Sequence, residues 1–287
     1  MSFKTYESVS SSLIGGKEYI SYVYKPTVAA PGTAGFWVDA SMSAGIPKYN
    51  AYVGTQFEAT TLTGSGNNGI FPGMYGSSKY LFSMQLRYGN ASASSPIPSY
   101  LILMDYLMFY PLIDMDSVDL QEFTNPVSLP RYATGDGVQM FLVSTVPSTV
   151  ATTVTINYTN CHNQSKTTTF NYAPTTNTGV CGVCSDTVVG TTGVTPFIPL
   201  QSGCRGVKSV QSVQLSSGAG GLCALVLAYP LASSSIVEAA TVSETVFLTE
   251  RSKMPKIEAG AYLNFITKQS TNFSGQLLGE LVFVTGE

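Results

Sequence analysis

"YLMFYPLIDMDS" runs from Tyr106 to Ser117, and "CALVLAYPLASS" runs from Cys223 to Ser234. Each is an apolar run, then Tyr-Pro-Leu, then a polar loop. Walking outward from this pair extends the likeness. Upstream lie "GIFPGMYGSSKYLFSMQL" (Gly69 to Leu86) and "PFIPLQSGCRGVKSVQSVQL" (Pro196 to Leu215), each with Phe, Pro, a Gly/Ser loop, Lys and a run ending Ser-x-Gln-Leu. Downstream, "LPRYATGDGVQMFLV" (Leu129 to Val143) and "MPKIEAGAYLNFI" (Met254 to Ile266) share Pro, a base, a Gly-containing turn and an apolar run. Earlier, "FWVDASMSAGIPKYNAY" (Phe36 to Tyr52) parallels "TINYTNCHNQSKTTTFNY" (Thr155 to Tyr172) as two strands around a polar turn. Matches in the same order along the chain predict a tandem duplication. The spacing contracts where the first copy has the longer loop, Tyr88 to Ser99 against "SSGAGG", and loops are where insertions belong.

The matched runs read as strands. "YISYVYKPT" (Tyr19 to Thr27), "TTVTINYT" (Thr152 to Thr159), "KTTTFNY" (Lys166 to Tyr172), "KSVQSVQL" (Lys208 to Leu215) and "ELVFV" (Glu280 to Val284) are β-branched or aromatic and roughly alternate. Gly, Pro, Asn and Ser clusters separate them. A short helix is expected only at "DMDSVDLQEF", with Asp116 or Ser117 as N-cap. The expected fold is all-β: two tandem antiparallel β-sandwich (jelly-roll-like) domains, the first over residues 1–135 and the second over 136–287. A partial third copy, "AYLNFITKQSTNFSGQLLGELVFV" (Ala261 to Val284), would close the second sandwich, and the hairpin near Val138 the first.

Composition narrows function. A chain of 287 residues suits two domains. Charged residues make up only 11% of it, against about 25% in an ordinary soluble protein. With 14 Lys plus Arg and a net charge of −3, no basic field exists for nucleic acid. Mean hydropathy is +0.17, and no apolar stretch reaches the roughly 18 residues a membrane span needs. Tyr100 to Ile113 comes nearest and is interrupted by Asp105 and Pro111. The N-terminus has no signal-peptide pattern, so synthesis in a reducing cytoplasm is expected. Ser, Thr, Gly, Asn and Gln fill the intervening segments, a surface with little charge to protect sheet edges. The 17 Tyr, 14 Phe and 9 Met suit faces covered by other subunits.

Little reads as chemistry. His162 is the only histidine and sits at an expected hairpin tip, with nothing in sequence to orient it. The acids Asp114, Asp116, Asp119 and Glu122 fail the EF-hand pattern, since Val118 and Asp119 stand where a ligand and a glycine are needed. Cys161, Cys181, Cys184 and Cys204 could hold zinc, form a disulfide after release, or remain free thiols. Neither catalytic nor cofactor-binding nor metal-binding residues are assigned, and no enzyme is expected.

"YPLIDMDSVDLQEFTNPVSLPRYATGDGVQMFLV" (Tyr110 to Val143) and "PFIPLQSGCRGVKSVQSVQL" resemble patterns in virion proteins of tailed bacteriophages, along nearly the whole chain. The resemblance implies repeated β-sandwiches assembled on a particle and carries no site residues over. The four cysteines lie outside it. Together with the composition, it leads us to expect a non-enzymatic virion subunit, a capsid decoration or cement protein. Its expected partners are itself, in a trimer or similar homo-oligomer, and the major capsid protein. The alternatives are a receptor- or glycan-binding module, with Trp37 and Tyr49 as stacking aromatics, and a double-jelly-roll major capsid protein.

Overall fold

A computed structural model describes residues 6–27, 35–64, 68–73, 78–89, 96–174, 177–181, 195–238, 242–250, 253–269 and 276–286. The chain is all-β. Helix α1 (Tyr6–Ile14) leads into β1 (Glu18–Lys25), β2 (Trp37–Asp39), β3 (Thr60–Thr61), β4 (Lys79–Gly89), β5 (Pro96–Asp114) and β6 (Gln121–Glu122). Then come β7 (Gln139–Val146), β8 (Thr152–Asn160), β9 (Ser165–Tyr172), β10 (Val180–Cys181), β11 (Val207–Leu215) and β12 (Leu222–Glu238). The last elements are β13 (Ser243–Val246), α2 (Phe247–Glu250), β14 (Lys256–Ile257), β15 (Leu263–Gln269) and β16 (Gln276–Thr285). Each of the five alternating stretches falls on a strand, the first running past the end of β1 by Pro26 and Thr27. In β8, for example, Val154, Ile156 and Tyr158 face the core while Thr155 and Asn157 between them face out.

The two Tyr-Pro-Leu runs form the two longest strands, and those strands pair with each other. β5 runs antiparallel to β12, with Tyr110 opposite Leu225 and Asp105 opposite Tyr229. Proline lacks a ladder donor and is tolerated inside a sheet only at bulges or edges. Both prolines sit at bulges. Pro111 and Leu112 lie between Tyr110 and Ile113 where β12 offers only Ala224, and Leu231 is the extra residue between Pro230 and Ala232. Leu112 takes a positive φ of 59°, as the irregularity requires.

Strands β10, β2, β15, β5, β12 and β7 form one central sheet in that order, with β3 on β5. Two flanking sheets, β1-β16-β4-β13 with β14 on β4, and β6-β11-β8-β9, account for the other strands of the described residues. Alternation along β5 places them. Leu101 and Leu103 belong to the core under the first flanking sheet, Met108 and Tyr110 to the core under the second, and Ile102, Met104, Tyr106 and Phe109 to a third cluster. A bulge opposite Ala228 keeps the first two sets on one face despite their opposite parity. Both flanking sheets therefore pack side by side on one face of the central sheet. On the other face the third cluster takes in Trp37, Tyr52 and Tyr262.

An ion pair fixes the middle of this sheet. Asp105, fully buried on β5, accepts from Nε and a terminal nitrogen of Arg131 at 2.9 and 2.7 Å, and from the Tyr262 amide at 3.0 Å. The guanidinium also donates to the carbonyls of Leu62 and Tyr106. A buried carboxylate requires such saturation, and bidentate Arg geometry supplies it.

Several sequence expectations are corrected. "DMDSVDLQEF" is a turn leading into β6, not a helix. Asp114 Oδ1 accepts from the Asp116 amide, Ser117 Oγ from the Asp119 amide, and Gln121 bonds both backbone groups of Asp114. Such local side-chain bonds compete with helix. Phe36 to Tyr52 is not a hairpin, because β2 ends at Asp39 and a short 3₁₀ turn, Ala40–Met42, follows. The Asp39 side chain caps that turn through the Ser41 amide. α1 was not expected. The closing hairpins are also exchanged: β15 and β16 pair with β5, β1 and β4, whereas β7 and β8 pair with β12, β9 and β11. Hydrogen-bonding partners, which local patterns do not encode, decide this.

The exchange predicts which end supports which core. A chain truncated after Gly260, lacking β15 and β16, should become protease-sensitive along Glu18–Lys25 and Lys79–Gly89 while Val207–Leu215 stays protected. Limited proteolysis read by mass spectrometry checks this; nicking confined to 207–215 would contradict the pairing.

Candidate binding surfaces

The flanking sheets have matching strand orders, β1-β16-β4-β13 and β9-β8-β11-β6, yet their outer faces differ in chemistry. On the second, cross-strand rows run Thr167–Asn157–Ser212 and Thr169–Thr155–Gln214, with Asn171 beside Thr153. These groups largely bond one another. Thr167 donates to Asn157 at 2.6 Å, Asn157 to Ser212 at 2.9 Å, Thr155 and Thr169 share a bond of 3.1 Å, and Thr153 donates to Asn171 at 3.2 Å. The result is a largely self-satisfied polar ladder, with the charge of Glu122 at its β6 edge opposite Ser212, and it suits water.

The outer face of the first sheet is aromatic and apolar. In β1, Ile20, Tyr22 and Tyr24 share the outward parity and are 40%, 66% and 37% exposed. Register extends them into rows: Ile20–Val282–Ser83–Val246, Tyr22–Glu280–Gln85–Glu244, and Tyr24–Leu278–Arg87. Tyr22, Tyr24, Gln85, Arg87, Leu278 and Val242 line a groove of about 460 Å³. Arg87 and Glu280 in its lining add charges of both signs to the apolar floor, and Gln85 donates to Glu244 at 2.8 Å. The edge of β1 beside it is partly covered. Tyr24 exchanges two backbone bonds with Ile46, at 2.9 and 2.7 Å, and the Tyr19 ring meets Phe71 edge-on at 5.6 Å.

Residues singled out from sequence are scattered. His162 lies exposed in the β8–β9 turn, its amide donating to Asn160. Trp37, expected to stack sugar, is buried in the third cluster with 6% exposure, while Tyr49 is exposed. Trp37 therefore offers no platform, because β2 lies inside the central sheet between β10 and β15. Cys181 lies in that same cluster, while Cys204 packs against the core beneath the second flanking sheet. Cys161 follows β8, and Cys184 lies outside the described residues. Among the described residues no three His, Cys, Asp or Glu side chains are grouped as metal ligands. Burial raises the Cys204 thiol, but bonds from the Tyr158 hydroxyl and Asn160 amide, with Lys166 nearby, bring it below its ordinary value. No described helix is long and apolar enough to cross a membrane.

The titratable groups displaced most by burial are fixed in the interior. Burial pushes the Asp39 carboxyl up, against the pull of the Tyr52, Tyr106 and Ser41 hydroxyls and the Ser41 amide. Tyr106 donates to it at 2.7 Å and Ser41 at 2.8 Å, and Tyr52 donates as well. Lys25 is fully buried, its Nζ donating to the carbonyls of Ser43 and Pro47 at 2.9 and 2.6 Å. Burial brings its pKa down to about 8, opposed by the charge of Asp39.

Comparison with known proteins adds little. No family model and no curated protein matches the chain. A solved structure described as the infectious bursal disease virus VP2 subviral particle aligns with 93% of this chain and 80% of its own, at 9% identity and a TM-score of 0.17. At that score the likeness carries neither fold nor function.

Lys25 supplies a pH test. A lysine with a lowered folded pKa is charged in both states below about 8, where the folded form bears the full cost of burial. As pH rises from about 8 to its unfolded value of 10.5, the folded form sheds its proton first and stability rises. Urea unfolding across that window should gain on the order of 3 kcal/mol in the native chain relative to Lys25→Met. Equal pH slopes for the two proteins would contradict the assignment.

Proposed function

We propose that the chain is a non-enzymatic structural subunit of a virion, a capsid decoration or cement protein of a tailed bacteriophage. The observation that carries this reading is the contrast between the two outer faces: one a self-bonded polar ladder, the other an aromatic groove of mixed charge. A rigid body with one wet face and one face fit to be covered suits a component of an assembly. The resemblance to tailed-phage virion proteins supplies the particle. The burial-shifted carboxyls of Asp39 and Asp105 are held by permanent protein partners, which favours a structural over a catalytic use of them.

Reading the chain as a duplication suits the same role. β1, β4, β5, β6, β7 and β8 have topological counterparts in β9, β11, β12, β13, β15 and β16, with pairings that interchange between the halves. The first copy's closing strand β8 completes the second copy's sheet, and β16 completes the first copy's. The Tyr-Pro-Leu motifs themselves sit at different heights. Tyr229 lies next to Ala228, the partner of Gln139 at the start of β7, whereas Tyr110 lies well beyond Asp105, the partner of Leu263 at the start of β15. In this reading the two halves share a strand order while their bulges have moved.

Imaging of purified particles by electron microscopy should find the chain on the shell, in many copies. Its presence at the tail tip alone, or its absence from particles, would refute the proposal.

A further inference from the structure

We infer that the outer face of the first flanking sheet is a homotypic contact, at which a second copy of this chain packs face to face about a two-fold axis. The inference rests on the reading of the chain as an assembled subunit. Three features of the face select this occupant.

The first is extent. Four strands at about 4.8 Å spacing and seven residues at about 3.3 Å rise give a projected face of roughly 440 Å². The relief of Tyr22, Tyr24, Leu278 and Arg87 adds to this, against the ~800 Å² of accessible surface per partner that a standard stable interface buries. A short peptide or a single sugar would leave most of this face wet.

The second feature is charge. Arg87 lies within the same groove as Glu280, and Glu244 lies one strand beyond Gln85. A partner of one sign would leave the other sign buried and unmatched. An identical face turned about a two-fold presents Glu to Arg and Arg to Glu, as an isologous interface demands.

The third feature argues against strand addition at the neighbouring edge. Ile46 already occupies the edge at Tyr24, and residues 45–48 and 69–71 line the space along Tyr19–Tyr22. An added strand would have to displace Ile46 from Tyr24, whereas the face is reached directly. The matching face of the second flanking sheet provides an internal control, because its hydroxyl and amide ladder satisfies itself.

The test is sedimentation velocity of the full chain over a concentration series. The wild-type chain should associate into dimers or multiples of dimers. Tyr22→Lys should weaken association at least about tenfold, because it removes the most exposed aromatic ring of the face. Arg87→Glu and Glu280→Arg should each weaken it, and the double variant should recover part of the loss. Thr169→Lys, on the polar ladder, should leave association unchanged. Circular dichroism melts establish that each variant is folded, and a misfolded Tyr22→Lys still leaves the charge-swap pair as a test. A monomeric wild-type chain, unchanged association in folded Tyr22→Lys, or an equal loss from Thr169→Lys would overturn the inference. The two readings fail separately. A monomeric chain found on particles removes the homotypic contact alone, and an associating chain absent from particles removes the virion role alone.

Discussion

The pairing of β5 with β12 is the constraint on which the rest depends. These are the two longest strands, and they belong to both cores at once: Leu101 and Leu103 with Ile236 under one flanking sheet, Met108 and Tyr110 with Leu225 and Leu227 under the other. Such a strand must be apolar on both faces, which explains the unbroken runs of Leu, Met, Tyr and Phe in the sequence. It must also bend where the core changes from one flanking sheet to the next. The bulges beside Pro111 and Leu231, and the one opposite Ala228, supply those bends.

The remaining polar interior follows from this apolar spine. Asp105 interrupts β5 at its centre, and leaving it unpaired there would cost several kcal/mol. Arg131 answers it from the segment before β7, tying that segment to the central sheet and to the carbonyl of Leu62. Asp39 performs a comparable task on the third cluster, where its carboxyl gathers Tyr52, Tyr106 and Ser41 around the end of β2. These charges specify how loops lie across the sheet. Their partners are permanent features of the fold.

Much of this was legible in the residues, and the failures have physical causes. Period-two alternation placed β1, β8, β9, β11 and β16, because each has one buried and one solvated face. In sequence Asp105 reads only as a break in an apolar run; its isolation there could have pointed to a buried cation partner, although nothing local named Arg131. Ile20, Tyr22 and Tyr24 share one parity in "YISYVYK", so an outward aromatic row could have been read there. Trp37 could not be placed, since a three-residue strand carries no usable period. The turn after β5 mimicked a helix start because Asp and Ser, which cap helices, also close Asx and Ser turns. The exchange of the closing hairpins was invisible for a deeper reason: a strand's pattern fixes which side faces the core and leaves open which neighbour it joins.

The central claim is that one continuous sheet runs through both halves of the chain with β5 against β12. Native-state hydrogen exchange tests it most directly. Amides of Leu101–Tyr110 and Cys223–Ile236 should be the slowest in the protein and should open together, in one cooperative event close to global unfolding. Separate opening of the two stretches, each with its own half of the chain, would contradict the account.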